Sequence, residues 1–359
     1  MFVRMFPYNA AILGTGIDLP DRIVRNDELE SLLQLKSGFI ESRTGILERR
    51  WCNPADTVGS MATTAAIAAV KDANVKSIQC MVIARDAIMT RRARSIGLPV
   101  IKALAREGVD VSNCYSIDIV NYCPGFIHAL NIANLTVSSG EAENVLVVAS
   151  TAYTDVIRTE SGFHEAFGDK FNLNDLVSQY SLGVEGYFQA PKYNMFLWGC
   201  GAGAMVVGRS DTARIGDYKA RACSSERFQK DSFGFAETPN GHSFASLDGQ
   251  SIYRFAMTEV ATFIGDFFHD RGYSLDLGNE IIVPHQPNPR ILKDLAKELE
   301  IPEGKMVVTC DTLGNMIGAS IPITYHLAKQ SGRIHKGQIV LLCSFGDSYL
   351  TTAGIMVEA

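Results

Sequence analysis

Four short stretches carry the side chains best able to do chemistry. In "NYCPGF", Cys123 follows the apolar run "SIDIV" and directly precedes Pro-Gly. Phe126, Ile127, Leu130, Ile132, Ala133 and Leu135 then recur at helical spacing, and Gly140 supplies a stop. A thiol at a helix start faces unpaired N–H groups and the positive end of the dipole, which favour a thiolate nucleophile. The same position suits a small buried hydrophobe, the common fate of a free cysteine. His285 stands between "EIIVP" and "QPNPR". It is either a buried turn histidine or a group poised to move or donate a proton. Asn315, in "TLGNMIGASIP", is either ordinary Gly-Asn turn chemistry or an amide donor. Gly346, in "CSFGDSYLTTAG", opens a tight loop between two apolar runs. Such a loop makes a plain hairpin, or it aims backbone N–H groups at a developing oxyanion.

Something must bring these distant positions together. Strand-like runs alternate with helical patterns along the chain: "AAILGTGI", "SIQCMVIA", "SIDIV", "NVLVVAS", "GAGAMVVG", "EIIVPH", "MVVTC", "QIVLLCSFG" and "AGIMVEA". The helical patterns fall at 57–72, 98–107, 124–139, 252–269, 289–299 and 318–330. This alternation predicts an α/β protein with buried sheets, in which "SIDIV" is a buried strand. Cys123, His285 and Asn315 each fall at a strand-to-helix junction, and in open α/β sheets ligands gather beyond the carboxyl ends of strands. "GTGIDLP" at 14–20 lacks the third glycine of a dinucleotide fingerprint, and Pro20 cuts short the phosphate-receiving helix, so a structural turn is expected there.

Composition narrows the class. The chain has 359 residues, 47% of them hydrophobic, and a net charge of −6, which gives no support for non-specific nucleic-acid binding. No run of 18 apolar residues predicts a membrane span. The start lacks the layout of a secretory signal, and eight cysteines without metal spacing read as reduced thiols. The expectation is a cytoplasmic protein without a metal site.

Taken together, these stretches resemble the 3-oxoacyl-acyl carrier protein synthase III group of the thiolase superfamily. The resemblance runs from "ILGTGIDLPDRIVRNDELE" through "SRTGILERR", "NYCPGF", "GAGAMVVG", "PHQPNPRI" and "LGNMIGASIP" to "SFGDSYLTTAG". It implies a duplicated thiolase fold of five layers, α-β-α-β-α, in a homodimer. Residues 1–208 would form the half carrying the nucleophile, with an insertion at about 159–196, and 209–359 the half carrying His and Asn. By the same resemblance Cys123 accepts an acyl group, and His285 and Asn315 stabilise the enolate of a decarboxylating malonyl thioester. Gly346 and Asp347 belong to the oxyanion loop. Phe39, Arg43, Arg158, Tyr253, Arg254 and Arg290 grip acyl-CoA or an acyl carrier protein. No cofactor is implied beyond these thioester substrates.

Departures from the family pattern point toward a specialised acyl chain, as in secondary metabolism. "VNYC" replaces small residues before the nucleophile, so Asn121 or Tyr122 reshapes the acyl pocket. Cys200 in "GCGAGA" replaces a customary aspartate, and Asp347 interrupts a glycine-rich loop. Arg91, Arg92 and Arg94 in "TRRARS" fall near the expected tunnel mouth, where a solvated charge run is the plainer explanation. Three rivals stand beside condensation: simple acyl transfer to an alcohol or amine, head-to-head condensation of two acyl chains, and a non-catalytic partner subunit.

Overall fold

The computed structural model describes residues 6–32, 35–53, 55–85, 95–152, 196–223, 233–237, 243–247, 249–270, 272, 277–346 and 351–359. The chain enters through strand β1 (Ala10–Asp18), the short pair β2 (Ile23–Arg25) and β3 (Glu48–Arg50), and helices α1 (Asn26–Leu32) and α2 (Phe39–Thr44) between them. Then come α3 (Val58–Ala73), β4 (Cys80–Arg85), α4 (Gly97–Arg106), β5 (Tyr115–Val120), α5 (Gly125–Ser138), β6 (Asn144–Thr151) and β7 (Gly201–Arg209). Further on are β8 (Ile215–Ala222), β9 (Phe233–Glu237), β10 (Ser243–Leu247), α6 (Gly249–Phe255), a π turn (Ala256–Val260) and α7 (Ala261–His269). The chain closes with β11 (Glu280–Pro284), α8 (Pro289–Glu298), α9 (Cys310–Leu313), α10 (Ser320–Gln330), β12 (Ile339–Gly346) and β13 (Thr351–Glu358).

Two principal sheets form, in the orders β1-β7-β6-β4-β5 and β11-β12-β13-β8. Period-two alternation divides each strand between two apolar layers. On the first sheet, Val82, Val145, Val147, Met205 and Val207 face a central core shared with Ile281, Val283, Val340, Leu342, Ile355 and Val357 of the second. Helix α5 and helix α10 lie in that core. The alternate residues Met81, Ile83, Leu146, Val148 and Val206 pack outward on α3 and α4. Ile282, Leu341, Cys343 and Phe345 pack outward on α7 and α8. The result is five layers, α-β-α-β-α, as expected. Phe126, Ile127, Leu130 and Val137 of α5 are fully buried, each contributing about 1.5–3 kcal/mol.

Helix boundaries follow local chemistry. A capping box between Thr57 and Ser60 starts α3, and Asn74 in the left-handed region ends it. Asn288 accepts the Ile291 N–H and Pro289 follows at the first helical position, which starts α8 two residues beyond "HQ".

Three expectations need correction. "GTGI" is not a turn: Gly14 and Gly16 lie within β1. A Cβ on Gly14 would stand 2.2 Å from the Ala73 nitrogen and one on Gly16 2.3 Å from the Ala65 carbonyl. The glycines let α3 press directly on the strand. "SIDIV" is a strand but not a buried one; β5 is an edge, with Tyr115, Ile117 and Val120 exposed. "MVVTC" is reduced to one parallel bridge, Met306 to Ile282. The amphipathic β8, whose burial alternates imperfectly, escaped the reading because it holds too few apolar residues in a row. The insertion at 159–196 falls, except for Phe196, outside the described residues, as do Arg91, Arg92, Arg94, Arg158 and Asp347. No described helix is long and apolar enough to cross a membrane.

Candidate active site

Cys123 emerges from a strained turn. Tyr122, just before it, holds φ 40°, a region that non-glycine residues occupy at a cost and that recurs at functional sites. The turn closes with the Gly125 N–H donating to the Asn121 carbonyl at 3.0 Å, and α5 starts there. Beside the thiol lies Gly346, the last residue of β12, at φ 129°. A Cβ on Gly346 would sit 3.4 Å from the Cys123 Sγ. Glycine therefore keeps backbone, and no side chain, against the sulfur.

His285 leaves the end of β11, its N–H donating to the Cys343 carbonyl of β12 at 2.7 Å. Two residues further along β12, Phe345 presents its ring edge-on to the imidazole at 5.8 Å. Phe345 and Gly346 thus link His285 to Cys123 through one strand end. The imidazole is buried, and burial pushes its pKa down to about 3 against a backbone hydrogen bond with Ile317. It is neutral at physiological pH, and among the described residues its Nδ1 has no hydrogen-bond partner.

Gln286 ties this junction to the next one. Its Nε2 donates to the Pro284 and Val307 carbonyls, both at 2.9 Å. Its Oε1 accepts the N–H groups of Thr309 at 2.9 Å and Cys310 at 3.2 Å. The buried amide is satisfied on both ends, which fixes the segment leading to Asn315 relative to His285.

Asn315 is buried, and its Oδ1 accepts the Ile317 N–H at 2.8 Å. That bond orients the amide and leaves its NH₂ as the donor for an incoming oxygen. Ile317 holds φ 50°, an outlier for a β-branched residue. Tyr122, Cys123, Leu197 and Ile252 pack on the buried pair Trp198 and Ile317. The two strained residues meet in one apolar wall beside the thiol.

Burial disfavours the thiolate at four other described cysteines. Burial pushes Cys343 up to about 12 and Cys114 to about 11, and raises Cys310 and Cys80. Cys200 is fully buried in the outer core.

A cleft of about 700 Å³ brings together Phe39, Arg43, Tyr253, Arg254 and Arg290, five of the six residues expected to grip the thioester carrier. Leu197 also lines it, so the cleft borders the wall around Cys123. The Arg43 guanidinium lies over the Phe39 ring at 5.6 Å, a contact that pre-orients both. Tyr253 donates to Asp294 at 2.9 Å. Phe345, Trp198 and Ile317 were not anticipated. Each lies within three residues of a recognised motif, but only contact across the fold gives it a place at the site. Among the described residues no group of three or more His, Cys, Asp or Glu could hold a metal ion.

The chain is similar to known proteins over most of its length. The profile described as 3-oxoacyl-[acyl-carrier-protein (ACP)] synthase III matches residues 117–169, and that of its C-terminal part matches 279–358. A β-ketoacyl-[acyl-carrier-protein] synthase III of Roseiflexus castenholzii is 29% identical, over 97% of this chain and 98% of its own length. The crystal structure of 3-oxoacyl-[acyl-carrier-protein] synthase III from Aquifex aeolicus is 27% identical and superposes with a TM-score of 0.76, covering 98% of this chain and 100% of that one. A priming β-ketosynthase from a polyketide biosynthetic pathway, also 27% identical, superposes at 0.77 over 98% of this chain and 96% of its own. Both profiles, the full-length relatives and the superpositions agree: along nearly its whole length this chain is similar to proteins of the 3-oxoacyl-acyl carrier protein synthase III group and shares their fold.

Proposed function

We propose that the chain is a condensing enzyme that loads an acyl group on Cys123 and extends it with a malonyl thioester. The Cys123 thiolate attacks an acyl-CoA or acyl-carrier thioester and expels its thiol, leaving an acyl-cysteine. Malonyl thioester then loses CO₂, and the electrons of the broken C–C bond flow onto its thioester oxygen. Neutral His285 and the Asn315 NH₂ donate hydrogen bonds to that oxygen. The resulting carbanion attacks the acyl-Cys123 carbonyl. Backbone N–H groups of Cys123 and Gly346 receive the oxyanion, and collapse returns the thiolate and releases a 3-oxoacyl thioester.

The observation that carries this reading is the contact of Gly346 with Cys123, on the strand whose Phe345 abuts His285. The locked amide of Asn315 favours condensation over simple acyl transfer, which has less use for a second enolate donor. The basic, aromatic cleft suits the phosphates and pantetheine of CoA or a carrier protein. The wall of Tyr122, Trp198 and Ile317 supports a specialised acyl chain. The exposed apolar edge β5 supports a homodimer, since an unpaired edge of this kind is normally covered.

The test is intact mass after incubation with a panel of acyl-CoAs, then CO₂ release and product analysis with malonyl thioester. One acyl mass on the Cys123 peptide, followed by CO₂ and a 3-oxoacyl product, is expected. Acylation at Cys123 with no CO₂, and transfer to an alcohol or amine instead, would replace condensation with simple transfer.

A further inference from the structure

Arg49, in the middle of β3, is completely buried, yet among the described residues no carboxylate pairs with it. Its Nε and Nη2 donate to the Phe196 carbonyl at 3.2 and 2.9 Å, and its Nη1 donates to the Val24 carbonyl at 3.2 Å. Burial pulls its pKa down to about 10, so it stays charged at neutral pH. Glu30 and Glu48 favour its charge from a distance, but among the described residues its hydrogen bonds all go to carbonyls; that is an expensive way to fill space, and an apolar side chain of similar volume often does so as well or better. What the guanidinium adds is geometry, because its planar fork fixes the direction of the carbonyls it holds.

The Phe196 carbonyl belongs to a short strap that carries Asn315, and the Val24 carbonyl to the neighbouring strand β2. One residue after Phe196, the Leu197 carbonyl accepts the Asn315 N–H at 2.7 Å, and the Asn315 carbonyl accepts the Gly199 N–H at 2.9 Å. The strap's far end is tied to the same strand, with the Cys200 N–H donating to the Arg50 carbonyl at 2.8 Å. The fit is close: a Cβ on Gly199 would stand 2.0 Å from the Leu313 carbonyl, and one on Gly314 2.9 Å from the Arg49 Cβ.

We infer that Arg49 is a positioning residue for Asn315: by clamping the Phe196 carbonyl it sets the register of the strap that holds the Asn315 backbone. It touches no reacting atom. Its influence falls on the half-reaction that uses the Asn315 amide, the decarboxylation, and not on loading of Cys123. This rests on the condensation reading above.

The experiment measures two rates on wild type, Arg49→Lys, Arg49→Met and Gly314→Ala, with thermal melts alongside. One is the acylation rate at saturating acyl-CoA; the other is single-turnover CO₂ release from saturating malonyl thioester on pre-acylated enzyme. Arg49→Met is expected to lose about a hundredfold in CO₂ release, the scale of a small misplacement in a positioned group. Acylation should stay within about threefold. Arg49→Lys, which keeps a donor for one carbonyl, should fall between Met and wild type. Gly314→Ala keeps the Arg49 guanidinium but presses a methyl between the Arg49 Cβ and the Leu197 carbonyl of the strap, and should show the same split; with Arg49→Lys it decides the matter if Arg49→Met does not fold. Equal loss of both rates, or unchanged CO₂ release in folded variants, overturns the positioning role. Absence of CO₂ release from wild type would instead remove the condensation reading.

Discussion

The two sheets are the same device used twice. In the first, β1 runs antiparallel to β7, β7 antiparallel to β6, and β6 parallel to β4 and on to β5. In the second, β8, β13, β12 and β11 repeat those senses, and the Met306 bridge stands where β5 stands. After β5 come a strained Tyr122, then Cys123 and the central helix α5; after Met306 come Asn315, a strained Ile317 and the central helix α10. Equivalent crossings therefore deliver Cys123 from one half and Asn315 from the other, the nucleophile and the hydrogen-bond donor of the proposed reaction. The halves differ at their edges. β5 is a full, exposed strand, whereas Met306 and Val307 are buried and stitched down by Gln286. The half that carries the thiol keeps an open edge, and the half that carries His285 and Asn315 spends its edge on holding two loops in register.

If the division of labour is right, damage to either half should fall on a different half-reaction. Asn315→Ala and His285→Ala should each cut CO₂ release by about a hundredfold or more, the cost of one lost oxyanion donor. Loading of Cys123, followed by intact mass, should suffer much less. Parallel loss of both reactions would dissolve the distinction between the halves.

Gly346→Ala probes the point where the second sheet reaches the thiol. A methyl there occupies the space beside Sγ and forces alanine into a φ of 129°. Loading should slow by about tenfold, with a stability loss of about 1 kcal/mol. Loading at the wild-type rate would mean that Gly346 does not border the acyl route.

A smaller effect concerns pH. The folded pKa of His285 lies near 3, below its ordinary 6.5, so the unfolded chain binds the extra proton between those values. This residue costs nothing above pH 6.5 and destabilises the fold progressively as pH falls toward 3. The slope approaches about 1.4 kcal/mol per unit. Denaturant midpoints of wild type and His285→Asn should therefore converge or cross as pH drops from 7 to 4. Parallel curves would show that the ring is not held neutral.

Much of this protein is written locally. The capping box at Thr57, the Asn288–Pro289 helix start and the period-two alternation of β4, β6 and β12 are short-range chemistry, and they specify elements whatever surrounds them. Cys123 and His285 were legible for the same reason, since each follows a strand and precedes a helix, whereas Gly346 ends a strand before a hairpin partner and Asn315 follows the short helix α9. Other features depend on what lies across the fold. Gly14 and Gly16 look like a turn until α3 is pressed against them, because only a neighbouring backbone tells why a Cβ is missing. β5 reads as buried because apolarity reports a preference for cover, not which molecule provides it. Arg49 reads as one more charge in "LERR"; its burial against the Phe196 carbonyl joins residues 147 apart. Local pattern sets the elements and their reactive ends. Distances between those ends come from packing, which no single stretch of chain contains.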